Sequence, residues 1–472
     1  MSWLLENAEG SRDDAGFSRG NQITEGNEGE SVQAAIAEAI TESAEVEREI
    51  SDVETRGEAD GETLQDLDEA VDSARATTNE SAGLSPVEAR LYAKTFARVV
   101  GQKVADRKMP NMESFASRTD SAYSTGFVSE SIKETIKQFW EALKNKFKSI
   151  WTKIKASYTK WFSTARKTGE RAKQIRDRAN NLTTTIETRN FDFAQGSILH
   201  IDGKMRDPSA FITTLKTVSK IVETTNEVTS KGEADKFIDT LDKSTVNVPS
   251  EEQNKTKFDA AVFANVLAMG RILGGVVGEG NVKNIDPEII KGYKGGSDSV
   301  VVSASEKLPG DKALLWSGKV DDKGGYVEVL RTARLSFVNL KKNPREIKSL
   351  SAATLNVSQI SDICDIIESS SGDIYEYEKN ITVSDKAHER VTRELDSIAK
   401  EIESDYKSNE DDENVNAQEN NNSRRAFRTL SSALTNYINR MNNIPALTSG
   451  YALPVYAAAL NWCEGSMKHY KK

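Results

Sequence analysis

Cysteine, histidine and proline are all scarce in this chain, and the first two scarcities each remove a class of function. The two cysteines among 472 residues, Cys364 and Cys463, stand far apart and outside any ligand-spaced motif. That pattern argues against a disulfide framework or a zinc module. The three histidines, His200, His388 and His469, are equally scattered, so a histidine-based metal or catalytic cluster would need all of them to converge. No serine sits in a nucleophile elbow, and neither cysteine has a histidine close by in sequence, so no nucleophilic triad or dyad is legible. The glycine-rich run at 274–280 lacks the lysine of a phosphate loop and the spacing of a dinucleotide loop, and reads as a flexible connection. No cofactor is expected, and no enzyme activity.

Long apolar runs are missing too. The longest uncharged run, 441–463, is interrupted by Asn442, Asn443, Pro445, Thr448, Gly450, Pro454 and Asn461. A spanning helix needs about 20 predominantly apolar residues, so this run predicts a buried C-terminal helix. The start, Met1-Ser-Trp-Leu-Leu-Glu, has neither the basic beginning nor the apolar stretch of a secretory signal, which predicts a soluble protein made in a cytoplasm.

What is present is helical periodicity and a sharp segregation of charge. Nine prolines and abundant Ala, Glu, Lys and Ser favour helix. Residues 1–100 carry 23 Asp/Glu against 8 Lys/Arg, a net of -15. Residues 1–30 read as disordered, with acidic helices expected after Ser31, over 62–76 and over 85–103, where Ser85-Pro86-Val87-Glu88 is a start signal. Met109 to Gly126 is polar, aperiodic and ends in glycine, as a linker does.

Beyond it the charge reverses. From Ser131 to Arg178 there are fourteen Lys/Arg against four Asp/Glu, a net of +10 in a chain whose total is -10. In the same stretch bulky residues recur every three or four positions, at Ile132, Ile136, Phe139, Trp140, Leu143, Phe147, Ile150, Trp151, Ile154, Tyr158, Trp161, Phe162 and Ala165. This is one apolar stripe on a long amphipathic helix. Three readings of its charged side stay open at this level. The lysines are merely solvated around a packed helix, or the helix lies in a membrane surface, or it contacts nucleic acid phosphates through Lys144, Lys146, Lys148, Lys153, Lys155, Lys160, Arg166, Lys167, Arg171, Lys173, Arg176 and Arg178.

The remainder reads as a mixed body. A short strand ending in a turn is expected over 196–203, a helix from Asp207-Pro208-Ser209 to about Ser230, and helices over 234–242 and 254–273. Four β-branched or alternating runs, at 299–303, 313–317, 326–330 and 333–338, punctuated by Gly310-Asp311 and 321–325, predict a small antiparallel meander. Helices resume over 358–368, 385–405, 424–441 and 451–468, with an exposed loop at 408–422. The carboxylates of Asp362, Asp365, Glu368 and Asp373 lie close in sequence but without the glycine-centred loop of an EF-hand, so no metal site is assigned.

The run Met109-Pro-Asn-Met-Glu-Ser-Phe-Ala-Ser-Arg, then 125–134, the Ile/Phe/Trp/Lys helix and Ile201-Asp-Gly-Lys204 together resemble the internal head proteins of giant tailed bacteriophages of the phiKZ kind. The resemblance covers roughly 109–230. It implies a structural protein of the virion interior, made in the host cytoplasm, packed with the genome and cut by the phage prohead protease, which prefers a small residue two positions before glutamate. Ser43-Ala44-Glu45 and Gly26-Asn27-Glu28 fit that preference, Thr78-Asn79-Glu80 is looser, and Asn111-Met112-Glu113 departs from it in its first residue. Glu45, Glu80 and Glu113 are the candidate residues before a cut. The implied partners are other capsid or scaffold proteins, the protease and packaged DNA. Under the alternative reading, a host-interaction protein, the partner is a membrane surface; no small-molecule substrate is expected under either.

The expected organisation is therefore mainly α, in the α+β class. An acidic, partly disordered pro-region (1–108) and a polar junction (109–126) precede the basic helix (127–180). A helical segment with a short strand (181–296), the meander (297–340) and a C-terminal helical segment (341–472) follow.

Overall fold

The computed structural model describes residues 118–182, 189–230, 276–294, 300–319, 333–342, 349–408 and 417–470, with the single positions 48, 90, 186 and 347. Over these residues the fold is mainly α with a small antiparallel sheet, as expected. The elements in order are α1 (Arg118–Ala179), β1 (Asn190–Phe193), α2 (Gly196–Leu199), α3 (Pro208–Ser230), β2 (Val277–Gly278), a 3-10 helix (Glu279–Asn284) and α4 (Pro287–Lys294). Then come β3 (Val300–Ser305), β4 (Lys312–Lys319), β5 (Arg334–Asn339), β6 (Leu350–Ala353), α5 (Val357–Ser408) and α6 (Ala417–Met467). The acidic helices, the candidate cleavage positions, the helices over 234–242 and 254–273 and the run at 326–330 fall outside the described residues.

The described chain divides into two compact units. The first takes α1 up to Ile150, α5 from Glu389 and α6 up to Asn436. Within it Phe147 and Ile150 are buried, and Lys144 pairs with Glu141 one turn earlier at 2.8 Å.

The second unit holds the rest, and its core is made by α1, α3, α5 and α6. Each contributes residues at helical spacing: Trp151, Ile154, Tyr158, Trp161, Phe162 and Ala165 from α1, and Phe211, Leu215, Val218, Ile221 and Val222 from α3. From α5 come Ile360, Ile363, Cys364, Ile367, Ile374 and Tyr377, and from α6 most of 452–463. The predicted apolar stripe of α1 is thus buried wherever its side chains are described. Helix α3 begins where the sequence signals it, because Asp207 Oδ1 accepts from the Ser209 N–H at 3.0 Å and Pro208 occupies the first turn, where a missing N–H costs nothing.

Helices run further than local rules predict. The backbone is helical from Arg118, so residues 118–126 extend α1 into the stretch expected to be a polar junction. Adding a residue to an existing helix avoids the cost of nucleation, which lets a stretch without its own apolar period follow its neighbour. Helix α5 runs unbroken through Ser369-Ser-Ser-Gly372, where two helices were expected. Ser370 and Ser371 are buried there, and the Ser370 hydroxyl lies 2.6 Å from that of Tyr456. Helix α6 likewise joins two expected helices, passing through Pro445 and Pro454, and already covers 417–422 of the expected loop. A proline inside a helix costs about 3 kcal/mol through its absent N–H and its clash with the carbonyl four residues back. Burial of nearly every side chain from Tyr437 to Leu460 offsets that cost. Beside the Met441 carbonyl, which Pro445 leaves without its helical donor, the Asn442 carbonyl accepts the Tyr158 hydroxyl of α1.

The meander is present as the order β2-β3-β4-β5, all antiparallel. Strand β4 explains its own unbroken apolar sequence. Ala313 and Leu315 join Val300, Val302, Ala304, Val338 and Leu340 in a small core capped by Ile285, Ile289 and Tyr293, while Leu314 and Trp316 are buried on its opposite face. A strand covered on both faces reads as a continuous run rather than an alternation. Residues 277–278, part of the glycine-rich run expected to be a flexible connection, form the edge strand β2 against β3.

A strand does form near the expected 196–203 segment, but six residues earlier. Strand β1 pairs antiparallel with β6, from Asn190↔Ala353 to Phe193↔Leu350. The expected strand is instead the single turn α2 followed by the bridge Ile201↔Lys204 around a tight turn at Asp202-Gly203, both at positive φ (54° and 75°). Alternating apolar residues misled because Gly196 is placed by close approach: a Cβ there would stand 2.8 Å from Leu350 Cβ. The turn is clasped to the β3–β4 turn, where the His200 carbonyl accepts the Gly310 N–H at 2.9 Å. Lys307 Nζ pairs with Asp202 at 2.7 Å and holds its carboxyl below the usual range.

Candidate functional site

The basic side of α1 is the one feature of the sequence that called for a function, and the structure divides it into two groups. Along the second unit the residues facing inward are Trp151, Ile154, Ser157, Tyr158, Trp161, Phe162, Thr164, Ala165, Thr168, Ala172, Ile175 and Ala179, all buried. The cations flank this strip. Four of them are clamped by carboxylates of the packed helices α5 and α6.

Three arginines and one lysine form the clamped group. Arg171 is largely buried, its side chain 12% exposed, and donates to Glu464 Oε2 at 2.7 Å and to Asn461 Oδ1 at 2.5 Å. Arg178 reaches the other oxygen of Glu464 at 2.8 Å. Burial would raise the Glu464 carboxyl, but Arg171 and Arg178 together hold it below its ordinary value. Arg176 bridges Asp365 and Glu368, the latter at 2.7 Å. Lys155 and the Trp151 indole N–H both donate to Asp385 Oδ1, at 2.9 and 2.7 Å, and Lys155 also lies over the Trp151 ring. These are bonds of α1 to α5 and α6. The carboxylates that make them were not singled out from sequence, except Asp365 and Glu368, which were weighed only as cation ligands. Their i, i+3 spacing, the one available clue, also suits an exposed helix face.

Of the other predicted positions, Lys148, Lys153, Arg166, Lys167 and Lys173 are exposed, and Lys144, Lys146 and Lys160 are half-buried. Arg166 makes an exposed pair with Glu170 at 3.1 Å, a contact worth at most a few tenths of a kcal/mol.

The profile of the phiKZ-like phage internal head proteins matches residues 32–465. The chain belongs to this family. No curated protein and no solved structure matches it. The family match covers the acidic segment from residue 32, the whole of α1 and nearly all of α6, well beyond the 109–230 stretch that carries the resemblance in the sequence. The chain is therefore a structural protein of a phage head interior.

In this internal head protein the remaining candidate chemistry dissolves into structure. Among the described residues no group of His, Cys, Asp and Glu could hold a metal ion. Asp365 and Glu368 are taken up by Arg176, while burial, then Glu223 and Glu376, push the Asp373 carboxyl up. The histidines do not converge: His388 stacks on Trp151 at 5.5 Å, His469 lies 5.0 Å from Phe191, and His200 sits at the clasped turn. Cys364 and Cys463, distant in sequence, are brought together inside the core as free thiols; burial and then its neighbour push Cys463 up, out of the reactive range. No helix among the described residues is long and apolar enough to cross a membrane.

Several buried polar groups tie the core helices to one another and to the β3–β4 turn. Tyr158 of α1 donates to the Asn442 carbonyl, Tyr377 of α5 to the Val222 carbonyl at 2.7 Å, and Tyr451 of α6 to the Pro309 carbonyl at 3.0 Å. Thr225 and Thr448 face each other at 3.1 Å. Burial pushes the phenols of Tyr158, Tyr377, Tyr451 and Tyr456 well above their ordinary value of about 10. A group whose pKa is raised on folding contributes stability that is complete below its unfolded value and lost as pH rises above it. Alkaline titration should therefore show these four of the twelve tyrosines ionising only above pH ~10, together with loss of helical circular dichroism. A normal titration of all tyrosines with the helix signal intact would contradict the burial.

Proposed function

We propose that this protein is a non-enzymatic component of the head interior, packed with the genome and trimmed at its N-terminus by the prohead protease during head maturation. The observation that carries the reading is the reversal of charge along the chain, net -15 over residues 1–100 and net +10 over 131–178, inside a single internal head protein family match. An acidic segment joined to a basic helix meets it at high effective concentration, so its removal would take away negative charge able to offset the basic helix. Glu45, Glu80 and Glu113 are the proposed residues before a cut. Partners are then other capsid or scaffold proteins, met after synthesis in the host cytoplasm.

Membrane attachment through α1 has no observation in its favour. An in-plane helix needs its apolar face for lipid, and from Trp151 to Ala165 that face is spent on the core.

Mass spectrometry of the protein extracted from purified DNA-filled heads tests the proposal. The expected result is a new N-terminus directly after Glu45, Glu80 or Glu113. Retention of Met1 or Ser2 in filled heads would remove the trimming step, and absence of the protein from such heads would remove the location.

A further inference from the structure

Of the nine buried side-chain nitrogen and oxygen atoms that have no hydrogen-bond partner among the described residues, four lie on a single turn of α6. They are both amide atoms of Asn439, the Asn442 Nδ2 and the Asn443 Oδ1. Asn439 is fully buried and Asn442 and Asn443 nearly so, and residues three and four apart share one face of a helix. Pro445 adds a fifth group to the same turn, because its ring nitrogen has no hydrogen to donate to the Met441 carbonyl. The turn meets α1, where the Tyr158 hydroxyl donates to the Asn442 carbonyl. On α1 the Ser157 hydroxyl and the Trp161 indole N–H, on either side of Tyr158 in sequence, are also buried without partners among the described residues. The shortage of partners thus falls on both helices where they cross.

We propose that the crossing of α1 and α6 is a binding site for ordered water, held by the amides of Asn439, Asn442 and Asn443 and by the Met441 carbonyl. A buried polar group left unpaired lowers the folding equilibrium constant about 5- to 150-fold, so five such groups on one turn demand a partner. Their chemistry selects it. Two of the five donate and three accept. An anion would be repelled by the three carbonyl oxygens, and a metal cation would face the two amide N–H groups with no carboxylate on the turn to neutralise it. The one charged side chain of the turn, Arg440, donates to the Ala333 carbonyl of the neighbouring sheet at 3.3 Å. An apolar ligand would leave all five groups unpaired. Water both donates and accepts, which suits a mixed set, and at about three hydrogen bonds per buried water five groups hold about two molecules.

Oxygen-17 magnetic relaxation dispersion of the full chain counts internal waters that exchange slowly with solvent. It is recorded for the parent and for N439L/N443L, which removes three of the five groups. The control is S305A, which removes a buried hydroxyl already bonded to the Leu314 N–H at 2.9 Å. Circular dichroism confirms that each is folded. A loss of about two slowly exchanging waters per molecule is expected in N439L/N443L, and no loss in S305A. Equal counts in all three proteins, or an equal loss in S305A, would overturn the site. A crystal structure of the parent supplies a second reading that does not depend on the variant folding. Water within hydrogen-bond distance of the Asn439 amide is expected there. Amides bonded to protein groups, no density beside them, or an ion in that density would each overturn the assignment.

Discussion

Replacing Trp462 with alanine is expected to destabilise the second unit by about 4 kcal/mol. Trp462 is fully buried on α6. Its ring meets Phe211 of α3 edge-on at 5.2 Å, and its indole N–H donates to the Ala353 carbonyl of β6 at 2.8 Å. The substitution removes both contacts at once. It leaves a cavity where a helix, a second helix and the β1–β6 ribbon meet, and Phe/Trp→Ala changes in cores cost ~3–5 kcal/mol. Trp462→Phe keeps most of the ring volume and loses the hydrogen bond, so a cost of about 1–2 kcal/mol is expected. Urea unfolding followed by circular dichroism reads both. An alanine variant within about 1 kcal/mol of the parent would mean that Trp462 does not hold the ribbon to the helices.

The second large effect is at the clamp on Glu464. Arg171→Met removes the more buried of its two arginines and is expected to cost about 2 kcal/mol at neutral pH, below the ~3–5 kcal/mol of a fully buried pair because Glu464 stays 31% exposed and keeps Arg178. The sign of the pH dependence follows from the depressed carboxyl. A group whose pKa falls on folding contributes stability that is complete above its unfolded value, about 4.5 for a glutamate, and is lost as pH falls. The parent should therefore lose stability through the acid range more steeply than Arg171→Met. Adding Glu464→Gln to Arg171→Met should recover part of the loss at neutral pH, since it removes the charge left half-compensated. Parallel acid limbs for parent and variant would show that the clamp contributes nothing to stability.

The contrast between these two sites marks where sequence was informative. The stripe from Phe147 to Ala165 was legible because a single helix must put every third or fourth residue on one face, and any apolar residue there has to find cover. The start of α3 at Pro208 and the strands β3, β4 and β5 were legible for similar reasons, since capping and turn chemistry act within a few residues. Nothing local announces that Arg171 will meet Glu464, or Tyr158 the carbonyl of Asn442, and the basic side of α1 could be read only as one undivided set of cations. The errors have the same origin. Gly372, Pro445 and Pro454 are helix breakers by local rule, and burial on α5 and α6 overrides them. Gly196 and its neighbours alternate like a strand, yet the Leu350 side chain, far along the chain, decides the backbone there. Which of the twelve cations serve the fold could be sorted only once α5 and α6 were in place.

The distance between partners also bears on how the protein is made. The bonds of α1 to α6, at Tyr158–Asn442 and Arg171–Glu464, join residues 284 and 293 apart in sequence. Until the ribosome has translated α6, Tyr158 and Arg171 of α1 lack these partners, and contacts so far apart in sequence slow folding. The nascent chain thus carries an aromatic, positively charged segment without its α6 partners for about half of its synthesis, the interval in which a chaperone or an acidic neighbouring segment would do most to keep it from aggregating.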